Sequence, residues 1–119
     1  MTQARQAFGS RGEDLACSEL EHRGYAILER RYRCRLGEVD IIARDGDVTV
    51  FVEVKARESG EFGGGAAAVT PAKQRTIARV AMDYIARHRL SGRPRRFDVV
   101  VVDGAAAVQV ISNAFDSYV

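Results

Sequence analysis

Residues 37–55 read GEVDIIARDGDVTVFVEVK, two apolar runs on either side of Asp45-Gly46. No other stretch constrains the fold as much, because it reads as a β-hairpin. Asp and Gly tolerate the positive φ that a tight hairpin turn needs. With these two at the tip, Arg44 is expected opposite Asp47, Ile42 opposite Thr49, Asp40 opposite Phe51 and Glu38 opposite Glu53. Side chains alternate faces along a strand. Glu38 and Asp40 then share a face with Phe51, Glu53 and Lys55, while Val48, Val50, Val52 and Val54 point the other way. In this register Asp40 and Glu53 are diagonal neighbours, roughly 7–8 Å apart at the backbone.

Two carboxylates on neighbouring strands repel, and a half-buried pair is costly to keep ionised. A hard divalent cation removes that cost. Mg2+ takes oxygen ligands, usually one or two carboxylates together with substrate phosphate. Lys55 shares the face of Glu53 and adds a positive charge. A solvated hairpin face with an ordinary surface ion pair would use the same residue types. The dense valines weigh against it, since they imply a strand buried on at least one face, where charges need partners.

The rest of the chain supplies layers for this hairpin. A helix is expected from Ser10 to Arg23, with Glu13, Ala16, Cys17 and Leu20 on one face. Glu13 thus lies along an apolar stripe. Ser10-x-x-Glu13 also fits a capping box, which would give Glu13 a purely structural task. Residues 1–8 read as a frayed end, and Gly24 as the helix stop. Tyr25 to Tyr32 reads as a strand that leads into Arg30, Arg31, Arg33 and Arg35. Such a basic edge can track phosphates or can discourage edge-to-edge aggregation.

Residues 56–69 hold Gly60 and Gly63-Gly64-Gly65 and read as a loop beside the hairpin, a ligand-closing segment or a plain connection. Thr70-Pro71 opens a second helix, as N-cap and first-turn proline. Its buried stripe is Ile77, Val80, Ala81, Tyr84 and Ile85. Lys73 and Gln74 lie on the same side one turn earlier, within reach of the hairpin or merely capping the stripe. Phe97 to Val102 is a central strand, interrupted by Asp98, which needs a partner. Ala107 to Ile111 is a last short strand and 113–119 a tail.

At 119 residues and 46% apolar composition, the chain has room for one domain, 1–119, with one modest core. No apolar run is long enough to span a membrane, and the N-terminus lacks a secretory pattern. A cytoplasmic location is the default expectation. Cys17 and Cys34 make neither a disulfide framework nor a zinc site. The net charge is +2. Only Lys55 and Lys73 are lysine, and every other cationic residue apart from the histidines is arginine. Arginine binds phosphate bidentately, although codon bias would produce the same preference.

Asp40 followed by Glu53-Val54-Lys55 resembles the D…(D/E)xK core of the PD-(D/E)XK nuclease superfamily. The chain is similar over nearly its whole length to the bacterial YraN family within it. The resemblance is carried by Gly12-Glu13, GEVDIIA from Gly37, FVEVKAR from Phe51, Lys73-Gln74, Arg96-Phe97-Asp98 and Asn113-Ala114-Phe115. It implies a restriction-endonuclease-like α/β/α sandwich around a central mixed sheet, in the order αβββαββ. It also implies Mg2+ or Mn2+ on Asp40 and Glu53, with Glu13 and the Val54 carbonyl as further ligands. Lys55 would then act on the attacking water, with Glu38 and Gln74 as support around the ligands. Arg30, Arg31, Arg33, Arg35, Arg57 and Lys73 would contact nucleic acid, DNA in particular. The helix glutamate is similar to that of archaeal Holliday-junction resolvases, which suggests branched DNA by analogy.

The expected function is metal-dependent phosphodiester hydrolysis, with a homodimer open and no membrane partner. Two other classes stay open. One is a non-catalytic nucleic-acid-binding module that kept the fold. The other is an interaction protein whose carboxylates form a salt-bridge network. Metal binding separates the second from the nuclease, and cleavage separates the first.

Overall fold

The structure is a computed structural model that describes residues 3–57 and 69–116; for 3–10 it describes the helical backbone alone. The glycines expected to form a loop at 60–65 lie outside the described residues. The elements are α1 (Gln3–His22), β1 (Ala26–Cys34), β2 (Gly37–Asp45), β3 (Val48–Arg57), α2 (Pro71–Arg87), β4 (Arg95–Asp103) and β5 (Val108–Phe115). The five strands form one sheet in sequential order. β3 and β4 are parallel, and every other neighbouring pair is antiparallel. A parallel pair needs a long crossover, and α2 supplies it. This is the expected α/β order, with a mixed sheet and a helix on each face.

The helices divide the core. On one face α1 packs Ala16, Cys17 and Leu20 against Ile41, Ala43, Val50, Val52, Val100 and Val102. On the other, α2 packs Ile77, Val80, Ala81, Tyr84 and Ile85 against Ile42, Phe51, Phe97, Val99 and Val101. Strand β4 therefore buries both its faces, which is why it reads as an unbroken valine run. Helix α2 starts as expected: Thr70 Oγ1 accepts from the Lys73 N–H at 3.2 Å, and Pro71 follows it. Helix α1 begins at Gln3, well before Ser10. Ser10 is inside the helix rather than at its N-cap, so the capping-box reading of Glu13 is overturned.

The β2–β3 hairpin differs from expectation by two residues. Asp45 pairs with Val48, Ile42 with Phe51 and Ile41 with Val52. The turn residues are thus Gly46 and Asp47 rather than Asp45 and Gly46. Gly46 has φ +64°, and glycine suits the first central position of a type II′ turn. Asp45 is drawn back into the strand, where it accepts from Arg96 Nη2 at 3.2 Å. A slip of one residue would have exchanged the faces; a slip of two preserves them. The pairing of β2 with β3 ends at Ile41↔Val52, one residue short of Asp40 and Glu53.

A second departure lies in the β1–β2 ribbon. Ile41 and Ala43 face α1, whereas Val39 packs on the α2 side. In β1, Arg30 reaches α1 while Tyr32 packs on the α2 side. The change of face falls between the pairs Arg30↔Ile41 and Tyr32↔Val39. The residues between them are Arg31, with φ +54°, and Asp40. A left-handed residue breaks the two-residue alternation and bends the ribbon locally, as bulges do.

Gly37 follows this break and lies against α2. It has φ +142°, and a Cβ built there would come within 2.6 Å of Thr76 Cγ2. Gly37→Ala is expected to lower stability by about 1–3 kcal/mol through overpacking and backbone strain. Adding Thr76→Ser removes the obstructing methyl and should restore part of the loss in thermal unfolding. No gain on adding Thr76→Ser would assign the whole effect to the backbone.

Asp98 finds the partners it needed. It is fully buried and accepts from Arg96 Nε at 2.9 Å, Tyr25 Oη at 3.2 Å and the Asn113 N–H at 2.9 Å. Ser112 Oγ lies 3.4 Å away, and Phe115 stacks on Phe97. These contacts extend β5 to Phe115, through what reads in sequence as a tail. No described helix is long and apolar enough to cross a membrane.

Candidate metal centre

Strand β3 lies between β2 and β4 and carries Glu53 on the face toward α2. Glu53 is 5% exposed, so its carboxylate has lost nearly all its water. Oε2 lies 3.8 Å from Lys73 Nζ. Oε1 is buried with no hydrogen-bond partner among the described residues. An unsatisfied buried polar atom costs about 1–3 kcal/mol, and more when charged.

Asp40 arrives from β2 at the break in alternation. Its Oδ2 accepts from the Val54 N–H at 2.8 Å. Where a regular ladder would offer a backbone carbonyl, this strand offers a carboxylate. Burial pushes Glu53 up to about 8; a hydrogen bond with Asp40 and the Asp40 charge add to the rise, and Lys73 and Lys55 oppose it. Glu53 is thus mostly protonated at neutral pH unless a further positive charge arrives.

The donor set suits a hard divalent cation, because it offers carboxylate oxygens, one of them without a partner among the described residues. Asp40 and Glu53 are the residues able to hold such an ion. Among the described residues, no three of His, Cys, Asp and Glu converge on one point.

Glu13, expected as a third ligand, is engaged elsewhere. Its side chain is 10% exposed, and both its oxygens accept from Arg31 Nε, at 3.1 and 3.2 Å. Arg30 Nε adds a longer contact at 3.4 Å. Arg30 also pairs with exposed Asp14 at 2.6 Å. Glu38 is paired with Arg33 at 3.1 Å. Arg35 is exposed in the β1–β2 turn. Gln74 donates to the Val69 carbonyl at 2.9 Å, holding the approach to α2. Arg57 closes β3. Val54 presents its N–H to Asp40.

Lys55 and Lys73, the chain's only lysines, thus both act on Glu53. For Lys73 the signal was present in sequence: the Thr70-Pro71 cap fixes where the first turn of α2 begins. The Asp98–Arg96–Tyr25 network left no such signal, because its members are joined only through the sheet.

The family model described as "Uncharacterised protein family UPF0102" matches residues 12–102. A UPF0102 protein of Syntrophus aciditrophicus is 47% identical over 111 residues, covering 91% of this chain and 87% of that protein. One of Geobacter metallireducens is 44% identical over 98% of both chains. One of Alkalilimnicola ehrlichii is 52% identical over 81% of this chain and 77% of its own length. The matched residues include Glu13, Asp40, Glu53 and Lys55 and nearly all of the sheet up to the end of β4, and on that match the chain belongs to the UPF0102 family.

Proposed function

We propose that this protein is a divalent-metal-dependent nuclease that hydrolyses phosphodiester bonds in nucleic acid, DNA foremost. The observation that carries the reading is the orphaned, buried Oε1 of Glu53 beside the Asp40 carboxylate. A fold rarely retains a buried carboxylate oxygen that has no partner among the described residues in its central strand without a use for it. Asp40 and Glu53 would hold Mg2+ or Mn2+. Bound there, the ion would polarise the phosphate and acidify a coordinated water. Lys55 would orient the attacking water, help deprotonate it as the free amine, and as the ammonium stabilise charge on the phosphoryl group. Lys73 would neutralise charge on the phosphate side. The exposed arginines of the β1–β2 ribbon would hold the sugar-phosphate backbone without reading bases.

The test has two stages. Calorimetric titration with Mg2+ and Mn2+ is expected to show one site of the metal-free protein. A panel of linear, single-stranded, flapped and four-way DNA is then expected to be cut only with metal. No metal binding would sink the reading and favour a salt-bridged interaction protein. Metal and DNA binding without any cut would make the protein a binding module.

A further inference from the structure

The pairs Arg30↔Ile41 and Tyr32↔Val39 share one register, with Arg31 and Asp40 as the single residue between them on each strand. In a regular ladder Arg30 and Tyr32 would point to the same face, and so would Ile41 and Val39. They do not. Arg30 reaches Glu13 and Ile41 packs under α1, whereas Tyr32 and Val39 pack on the α2 side. Because the pairs on both sides of the break stay in register, one strand cannot change face without the other. The backbone of Asp40 is therefore tied to that of Arg31.

The break is anchored at each end. Tyr32 meets Tyr84 of α2 edge to face, with ring centroids 5.2 Å apart. Arg31, left-handed at φ +54°, turns back toward α1, where its Nε donates to both oxygens of Glu13. A non-glycine residue in that conformation inside a strand persists only when its surroundings over-determine it. An ordinary exposed ion pair is too weak to do so. This pair differs, because Glu13 is a nearly buried carboxylate, and such a charge is strongly disfavoured once its partner leaves.

We propose that Glu13 positions Asp40 from the opposite face of the sheet. By holding Arg31 left-handed it fixes the change of face that carries the Asp40 carboxylate to the Val54 N–H, 2.8 Å away, next to Glu53. Glu13 touches no metal in this role, and its effect on the centre passes through the backbone of Arg31. The consequence for metal affinity rests on the metal-dependent reading above; the consequence for the Asp40–Val54 contact does not.

The experiment compares four full-length chains: wild type, Glu13→Gln, and Glu13→Gln combined with either Arg31→Gly or Arg31→Ala. Both double variants lack the ion pair and the buried charge. They differ in that glycine adopts positive φ readily and alanine does not. Two quantities are read: Mg2+ affinity by calorimetry without DNA, and hydrogen exchange of the Val54 amide without metal. The exchange is taken relative to the amides of β4, so that a general loss of stability cancels. Glu13→Gln is expected to weaken Mg2+ binding roughly 10–100-fold, the usual loss when a group that orients a metal ligand is removed. It should also speed Val54 exchange. Adding Arg31→Gly should recover most of both losses, whereas adding Arg31→Ala should recover neither. An Arg31→Gly double variant no better than its Arg31→Ala counterpart would overturn the proposal. So would a Glu13→Gln variant equal to wild type in both measurements. A wild type that binds no Mg2+ would sink the metal-dependent reading, and Val54 exchange across the four chains would still decide whether Glu13 positions Asp40.

Discussion

Lys55→Ala is expected to keep the metal and lose the chemistry. Both carboxylates remain, and Glu53 loses one of the two cations that oppose its raised pKa. Mg2+ should therefore bind as well as in wild type or better. Single-turnover cleavage should nevertheless fall by roughly 10²–10⁴-fold, the loss expected for a positioned proton-transfer group. Asp40→Asn should behave in the opposite way. The Asn Oδ1 can still accept from the Val54 N–H, so the local shape is kept, but a negative ligand is gone. Mg2+ affinity should fall and cleavage with it, while metal-free DNA binding holds or improves because a phosphate-repelling charge has been removed. Titration calorimetry and single-turnover kinetics on the three proteins separate these outcomes. Unaltered Mg2+ binding in Asp40→Asn would mean that the pair is not a metal site.

Glu53→Gln is expected to stabilise the metal-free protein above neutral pH. In the unfolded chain Glu53 ionises near its ordinary 4.5; in the folded chain it does so at about 8. Between those values the unfolded state has lost a proton that the folded state still holds. The stability contributed by Glu53 is therefore fully present below about 4.5, is lost as pH rises toward about 8, and changes no further above it. The slope approaches about 1.36 kcal/mol per pH unit in mid-window. The total is on the order of a few kcal/mol. The amide that replaces the carboxylate has no charge to desolvate, so the variant should show a flatter pH profile and a higher Tm at pH 8. Mg2+ should raise the wild-type Tm at pH 8, do little at pH 5, and leave Glu53→Gln unmoved at either. Parallel pH profiles for the two proteins would remove Glu53 from the account of stability.

The hairpin and its two faces from Ile41 onward were legible because alternation survives any even shift of register. The shift itself was not legible. Asp45-Gly46 and Gly46-Asp47 are both acceptable turns, and the choice rests on Arg96, far away in sequence, holding Asp45 in the strand. The partners of Glu13 were hidden for a different reason. Arginine is no left-handed residue by propensity, so nothing in Arg30-Arg31 announces that both side chains will meet one carboxylate. The length of β5 was concealed in the same way, since Ser112 and Asn113 read as a tail until Asp98 claims them. Residue types reported the layers; they could not report which distant charge would override a local preference.

The broken alternation at Arg31 and Asp40 has a consequence for how the centre comes apart. Glu53 belongs to β3, flanked on both sides and covered by both helices, in the part of the sheet whose amides should exchange last. Asp40 belongs to a ribbon that ends in an edge strand and is already bent where it meets β3. Opening that ribbon would separate the two carboxylates, and because Val39, Ile41, Ile42 and Ala43 of β2 are fully buried it would open the core on both faces of the sheet as well. The two carboxylates therefore come apart only with the loss of that burial, which ties the integrity of the centre to the stability of the whole sheet.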